Sequence, residues 1–282
     1  MQPLPAPAAV PLLQTSRTFQ IQSDTSTRVR GQTVSNSIAT TLRQTYGGRS
    51  PAGTHAVLVE QLSFAQTDQS PLALLLADLN PVNNQLLLEV GTYGDLLAIR
   101  NREQVQEQWL GLRPHILHTY GTTREGQAFI QGFEQQLTSP TLLDSFRHKG
   151  GYGVLFPGLF SPVGPAGAVR AGYSERVMAG FFGSLDLPLR LHTEVVPSSA
   201  VPGECQLRVS GELDAARFDE PGLQALVKQA MDMLNFRVAH SLNCREEYTL
   251  DEHGWLTAAR QELTFTIENF YHQHIQHELK LA

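Results

Sequence analysis

Hydrophobic and polar residues alternate along two stretches of the chain, at positions 85–100 and 246–267, and a short glycine-containing segment interrupts each alternation. A period of two places the apolar side chains on one face of a β-strand. In each interruption the glycine stands where a tight turn needs a backbone with positive φ. Both stretches therefore predict a β-hairpin, and hairpins in series predict an antiparallel sheet.

Further strands are predicted where the same alternation returns. The runs 55–64, 188–196 and 204–213 read as strands, and a final strand is predicted over 265–281. Residues 17–30 alternate as well, but they are rich in threonine and serine. That composition is typical of a solvated strand at the edge or on the outside of a sheet.

Two segments leave the choice between strand and helix open. Residues 34–46 continue the polar alternation, yet the spacing of Ile38 and Leu42 also permits a short helix. Residues 70–79 are dense in leucine and fit either a buried strand or a short helix. In the helical alternative, Ser70 is the cap and a proline occupies the first helical position.

From Asn101 onward the spacing of apolar residues changes to three and four, which predicts an amphipathic helix with Asn101 as its N-cap. The apolar positions of this run are Val105, Trp109, Leu112, Ile116, Leu117 and Tyr120. Pro114 lies inside the run and predicts a kink or a break. Two more helices are predicted near 125–137 and 140–148, so that 101–148 forms a helical insertion between sheet segments.

The order of these elements predicts the fold class. Strands come first, then the helical insertion, then more strands, one helix at 221–236 and the last strands. Runs of strands with segregated helices indicate an α+β protein with a large, mainly antiparallel, curved sheet packed against a cluster of helices. We expect residues 1–16 to form an extended proline-rich arm and residues 17–282 to form a single domain.

This order resembles that of bacterial carriers in which a curved antiparallel sheet wraps around helices to hold a lipid. The likeness lies in the order of elements alone, and no residue motif contributes to it. It implies an enclosed apolar cavity between the sheet and the helical insertion.

Charge and composition narrow the classes of partner. The net charge is −6, and lysine occurs only at 149, 228 and 280, without any basic run, so we expect no nucleic-acid partner. No window offers about 18 uninterrupted apolar residues, so no membrane span is expected. Four prolines interrupt the apolar residues of 1–13, which therefore do not read as a signal peptide, and we expect a cytoplasmic protein.

The cysteines and acidic residues suggest structural rather than chemical roles. The chain has 2 cysteines, Cys205 and Cys244, which are interpreted as buried or half-buried thiols. Two groups of neighbouring carboxylates occur, and adjacent strand residues point to opposite faces, so Glu246 and Glu247 cannot act together on one substrate. The acidic residues in these groups, interpreted as solvated charges, are Asp214, Asp219, Glu220, Glu246 and Glu247.

A histidine pair is the strongest candidate for metal chemistry. His272 and His274 alternate on a predicted strand and therefore share a face. A zinc site needs at least three protein ligands, and His253 or Glu247 could complete the set only if the second hairpin folded toward them. Because the alternation assigns the pair to the wet face, we interpret both residues as surface histidines and expect no metal.

The segment 149–165 combines aromatic residues with glycines and prolines. Long apolar loops are uncommon unless they line or bind something. The residues that could face a ligand or a partner are Tyr152, Phe156, Leu159 and Phe160. Packing of the same side chains in the core is the favoured alternative.

No catalytic motif emerges from these patterns, so the leading hypothesis is a non-catalytic binding or assembly protein that acts through a sheet edge and the N-terminal arm. Its partner would be another protein or a second copy of the chain. The alternative is a carrier that holds an apolar small molecule between the curved sheet and the helices. A metal-dependent hydrolase built on His272 and His274 ranks last, and no cofactor is expected.

Overall fold

The computed structural model describes residues 15–147, 150–161, 169–183, 185–197, 204–231 and 239–282. Within these ranges the chain forms one antiparallel sheet of eleven strands and five α-helices. The strands are β1 (Ser16–Val29), β2 (Gln32–Arg49), β3 (His55–Gln66), β4 (Gln85–Val90), β5 (Leu96–Ile99), β6 (Gly172–Phe182), β7 (Leu185–Pro197), β8 (Cys205–Leu213), β9 (His240–Leu250), β10 (Leu256–Ile267) and β11 (Tyr271–Leu281). The helices are α1 (Pro71–Leu79), α2 (Arg102–Tyr120), α3 (Arg124–Thr138), α4 (Gly150–Leu155) and α5 (Glu220–Met231).

The sheet order is β5-β4-β3-β2-β1-β11-β10-β9-β8-β7-β6, so neighbouring strands are joined by reversals except at the centre. There the first strand pairs with the last, from Phe19 beside Leu281 to Val29 beside Tyr271. The sheet is not closed, and β5 and β6 are its terminal strands. The predicted α+β class with a large antiparallel sheet is therefore confirmed.

The expectation of an edge or outer strand over 17–30 was wrong. β1 lies in the middle of the sheet and is paired on both sides, with β2 and with β11. An exposed edge therefore does not explain why this strand is rich in threonine and serine. Ser23 and Thr25 lie on the same face of the strand as the buried Phe19 and Ile21, whereas Thr18 and Ser26 lie on the opposite face.

Alternate residues of every strand point to a common inner face, which carries the core. The helices add their apolar residues to the same core, among them Val105 and Ile116 of α2 and Leu223 of α5. The largest fully buried strand residues are Phe19, Leu86, Leu88, Leu187, Leu189, Leu191, Leu207, Tyr248 and Phe265. The opposite, outer face carries polar side chains, such as the ion pair of Arg43 Nε with Glu60 Oε2 at 2.9 Å.

Several local predictions are resolved by the structure. Both glycine-containing hairpins are present, with Gly94 at φ +83° and Gly254 at φ +76°. Residues 34–46 belong to the strand β2, whereas 70–79 form the helix α1, in which the Ser70 hydroxyl accepts a hydrogen bond from Ala73 N at 3.4 Å.

The predicted final strand over 265–281 was wrong, because the chain reverses between β10 and β11. Asn269 adopts φ +58° at this reversal, a left-handed conformation that asparagine tolerates better than most residues. A helix was expected near 140–148, but Pro140–Ser145 form a 3₁₀ turn, because the Ser139 hydroxyl and a proline start a turn that does not propagate.

The helix α2 begins where the sequence predicted, with Asn101 at the N-cap position, but the side chain of Asn101 has another role. The Asn101 side chain makes no capping bond. Instead its Oδ1 accepts from Leu87 N at 2.8 Å and its Nδ2 donates to the Gln85 carbonyl at 3.0 Å, so Asn101 fastens the helix to β4. The helix runs through Pro114 without a break. Parts of other predicted segments lie outside the described residues, namely 1–14 of the arm, 148–149, 162–165 and 232–236.

The described part of the segment expected to be a long apolar loop, residues 150–161, begins as the helix α4 and then contacts both ends of the sheet, with the Phe160 carbonyl against Gly94 in the turn after β4. On one side the Arg176 guanidinium in β6 donates to the Pro157 carbonyl at 3.4 Å. On the other side the Arg170 guanidinium lies 4.6 Å from the ring centre of Tyr93, in the turn after β4. Among the described residues, no helix is both long and apolar enough to span a membrane.

Candidate functional site

A pocket of about 430 Å³ opens on the inner face, where the two halves of the sheet meet. Its floor is formed by β1, β2, β3 and β11, and its walls are α4 and the distal part of β6. The described residues that line it are Ser23, Thr25, Ile38, Thr40, Leu42, Gln61, Phe64, Gly150, Gly151, Tyr152, Met178, Ala179, Gly180, Phe181, Ile275 and His277.

The first wall is held close to the floor by a glycine. A Cβ added at Gly151 would lie 2.9 Å from Ile21 Cδ1 and 3.1 Å from Leu42 Cδ1, so only glycine lets α4 approach the sheet this closely. The Tyr152 ring follows directly and packs edge-on against Phe146, with the ring centres 5.3 Å apart. Burial raises the pKa of the Tyr152 phenol well above its usual value, so the hydroxyl stays protonated.

The second wall comes from an irregularity in the β6–β7 hairpin. The strand pairing skips from Met178 to Phe182, and Gly180 adopts φ +64° within the skipped stretch. This bulge turns the hairpin end onto the inner face, where the Phe182 ring lies 4.8 Å from that of Phe265. The bulge thus places Phe181 and Ala179 at the pocket.

A row of polar residues crosses the inner face and ends in the pocket. Glu246 of β9 stands opposite Gln261 of β10, which stands opposite His277 of β11, which in turn stands opposite Ser23 of β1. We call these four residues the inner polar row. Such a row on a core face is unusual, because a buried polar group costs free energy unless it is hydrogen-bonded.

The β9 end of the row is closed by a buried ion pair. Glu246 is 4% exposed and Arg176 is 8% exposed, and the guanidinium bonds both carboxylate oxygens. The Tyr248 hydroxyl donates to Glu246 Oε2 at 2.7 Å, and Gln261 Nε2 donates to the Tyr248 hydroxyl at 2.7 Å. Burial opposes the Arg176 charge, yet the Glu246 carboxylate keeps the arginine pKa above its usual value, so the guanidinium stays charged.

The β1 end of the row is uncharged and opens into the pocket. His277 Nδ1 lies 2.8 Å from the Ser23 hydroxyl, and within the described residues Nε2 has no hydrogen-bond partner. Burial lowers the pKa of His277 to about 4, against weaker opposing effects of the Glu246 and Asp24 carboxylates. The imidazole is therefore neutral at neutral pH, with one nitrogen left for a ligand.

Of the four residues singled out from the segment 149–165, the structure brings one to the pocket. Tyr152 lines it, whereas Phe156, Leu159 and Phe160 lie in the core, each no more than 2% exposed. The Phe160 ring packs edge-on against Tyr248 at 5.5 Å and so supports the closed end of the row.

The histidine pair lies on the outer face. His272 Nδ1 is 3.0 Å from the Thr266 hydroxyl, and His274 Nδ1 is 3.0 Å from the Thr264 hydroxyl. Across the described parts of the chain, no group of three or more histidine, cysteine or acidic side chains is arranged to hold a metal ion. The two cysteines are free thiols, and burial raises the pKa of Cys244 to about 12.

Two acidic residues interpreted as solvated charges are buried instead. Glu246 is the buried partner of Arg176, and Asp214, 3% exposed, forms an ion pair with Arg190 at 3.0 Å. The alternation of β9 offered a signal for Glu246, because Cys244, Glu246 and Tyr248 share one face. The same rule offered His277, which has the parity of the inner residues Ile275 and Leu279. Nothing local marks Arg176 as their companion.

Comparisons with known proteins give no family for this chain. No protein-family description matches it, and no curated protein matches it. Among the solved structures that match this chain, two align with it over most of their length. One is DynF from the dynemicin biosynthesis pathway of Micromonospora chersina, at 7% identity, covering 99% of this chain and 92% of that chain with a TM-score of 0.21. The other is a DUF1329 family protein from Desulfovibrio piger, at 9% identity, covering 95% and 87% with a TM-score of 0.23.

Proposed function

We propose that the protein binds a mainly apolar small molecule in the pocket on its inner face. The observation that carries this proposal is the pocket of about 430 Å³ at the meeting point of the two sheet halves. Pockets that hold small ligands span roughly 300–1,000 Å³ and combine apolar walls with a few polar groups. Here Ile38, Phe64, Met178 and Phe181 supply apolar walls, and the inner polar row supplies the polar groups.

The surrounding architecture supports the same function. The segment after α4 contacts both terminal regions of the sheet, through Pro157 beside Arg176 and through the Phe160 carbonyl beside Gly94, which is expected if the sheet curves around its inner face. Asn101 fastens α2 to β4, and α5 lies near β7 and β9, where Gly222 approaches Leu185 and Glu220 lies 3.5 Å from His240. The pocket lies between these two regions, and α4 is the helix that lines it among the described residues.

The experiment uses N-phenyl-1-naphthylamine, an uncharged apolar fluorophore whose emission rises in apolar surroundings. We expect saturable binding at one site per chain. The substitution Thr25→Phe places a ring in the pocket and should abolish this binding, whereas Ser26→Phe, one residue away on the outer face, should preserve it. Equal binding by both variants, or no saturable binding by the wild type, would reject the proposal.

A second candidate function is assembly through the sheet edge. The terminal strand β6 has 11 residues and is paired only with β7 among the described strands, so its other side offers backbone groups for strand addition. The partner would be a second copy of the chain. Light scattering should then show a dimer that Val177→Lys on β6 dissociates and that Leu97→Lys, on the opposite terminal strand, leaves intact. A wild-type monomer at all concentrations would exclude this candidate.

A further inference from the structure

We propose that the ligand of this pocket is a neutral amphiphile, an apolar chain or ring system with one uncharged oxygen-bearing group that is held by His277 at the end of the inner polar row. This inference rests on the proposed binding function and specifies the chemical class of the ligand. Alcohols and esters belong to this class, whereas free carboxylic acids and amines belong to it only in their uncharged forms.

The pocket offers no charged side chain to an ionised ligand. None of the described residues that line it is an aspartate, glutamate, lysine or arginine. The nearest buried charges, on Arg176 and Glu246, already satisfy each other through both carboxylate oxygens. An ionised head group would therefore lose its water without gaining an opposite charge, which is strongly unfavourable.

The carboxylate of Asp24 is also engaged elsewhere. It stands on the outer face, opposite Gln276 in the sheet, and its Oδ1 accepts hydrogen bonds from Ser37 at 2.6 Å and from Gln22 at 3.1 Å. These bonds lower the Asp24 pKa, so it remains an anion directed away from the pocket. It is therefore not placed to pair with a cationic ligand inside the pocket.

The pocket does offer hydrogen bonds to an uncharged oxygen of a ligand. Ser23 holds one ring nitrogen of His277, and this leaves Nε2 for the ligand. If the Ser23 hydroxyl donates to Nδ1, then Nε2 carries the proton and donates to a ligand oxygen; in the other tautomer it accepts from a ligand hydroxyl. Thr25, Thr40 and Gln61 add uncharged donors and acceptors around the same space. An alcohol satisfies both tautomers, and an ester carbonyl satisfies the first.

The test displaces N-phenyl-1-naphthylamine at neutral pH with four ligands that share a twelve-carbon chain. 1-Dodecanol and methyl laurate are used below their solubility limits, and laurate and dodecylammonium below their critical micelle concentrations. We expect dodecanol and methyl laurate to bind at least about tenfold more tightly than both ions, because each ion lacks a compensating charge. Laurate or dodecylammonium binding as tightly as dodecanol would overturn the inference while leaving the proposed function standing. Absence of fluorophore binding would overturn both.

Variants then locate the head group. His277→Leu keeps the bulk of the side chain and removes the hydrogen bond, so the affinity for dodecanol should fall about three- to tenfold relative to the affinity for the fluorophore. The matched control is His274→Leu, which removes an outer-face histidine three residues away and should change neither. An unchanged ratio of the two affinities in His277→Leu would overturn the assignment of His277.

Discussion

The two ends of the inner polar row show opposite ways of placing polar groups on a core face. At the β9 end, Glu246 is buried and accepts hydrogen bonds from Arg176 and Tyr248. At the β1 end, His277 and Ser23 bond each other but leave one ring nitrogen free beside a pocket. The closed arrangement at the β9 end is typical of a structural ion pair. The open arrangement at the β1 end is typical of a binding site. The comparison teaches that a polar residue on a core face indicates a binding site when its hydrogen-bonding capacity is not used within the protein.

The largest expected effect comes from removing one partner of the buried ion pair at the closed, β9 end of the row. Arg176→Met should lower the free energy of unfolding by about 3–5 kcal/mol, because it leaves the Glu246 charge buried without a partner. Denaturant unfolding measures this loss. The control Arg43→Met removes an arginine from a half-exposed pair with Glu60 and should cost less than about 1 kcal/mol.

Neutralising the remaining carboxylate provides the complementary test. The double variant Arg176→Met with Glu246→Gln should recover much of the stability, since the amide oxygen can still accept the Tyr248 hydrogen bond. A double variant no more stable than Arg176→Met alone would show that the loss came from packing and not from the buried charge.

The next largest effect concerns the wall of the pocket. Gly151→Ala should destabilise the protein by about 1–3 kcal/mol, because the new methyl group meets Ile21 and Leu42 on the sheet. Gly132→Ala in α3 is the matched control, where a Cβ meets nothing within 4 Å. This control should be neutral or stabilising by up to about 1 kcal/mol, since alanine favours the helix. Thermal unfolding of the two variants separates packing from helix propensity.

A smaller effect on stability is expected from protonation of His277 at the open, β1 end of the row. Folded His277 takes up a proton only near pH 4, whereas in the unfolded chain an imidazole does so at its usual pKa of about 6.5. The unfolded state therefore binds more protons, and stability is lost as the pH falls from 6.5 to 4. His277→Leu should remove this part of the loss, measured by denaturant midpoints across that window. Parallel profiles of wild type and variant would contradict the neutral, buried state of the ring.

The smallest effect concerns chemical access and leaves stability unchanged. Cys244 lies beside the closed end, and burial raises its pKa to about 12, while Cys205 is half-buried. Iodoacetamide should therefore modify Cys205 first in the native protein, because the thiolate is the reactive form. Peptide mass spectrometry over time measures the order. Earlier modification of Cys244 would mean that the closed end opens to solvent.

Local patterns predicted most elements of this fold but not their neighbours. The hairpins around Gly94 and Gly254 and the helix α3 were readable because turns and apolar periods are local properties. The position of β1 was not, since its pairing with β11 joins residues more than 240 positions apart and leaves no trace in the composition of either strand. Its hydroxyl-rich sequence matched an exposed edge and a pocket floor equally well.

The candidate site was harder to anticipate than the fold. The parity of β9 and β11 already placed Glu246 and His277 on the inner face. The interpretation of Glu246 as a solvated charge was wrong because its partner, Arg176, comes from β6, which lies far away in the sequence. Tyr152 was singled out for its apolar surroundings, yet only its position on α4 distinguishes it from the buried Phe156 and Phe160.

The pairing of β1 with β11 has a consequence for how the molecule is made. During synthesis β1 leaves the ribosome among the first segments, but one of its edges stays without a partner until β11 has emerged. The two arms of the sheet can form separately from strands that are near one another in sequence, whereas the seam between them, which also forms the floor of the pocket, must wait until β11 has been made. The floor of the pocket is thus the last part of the sheet to be completed, and a nascent chain exposes an unpaired edge of β1 until then.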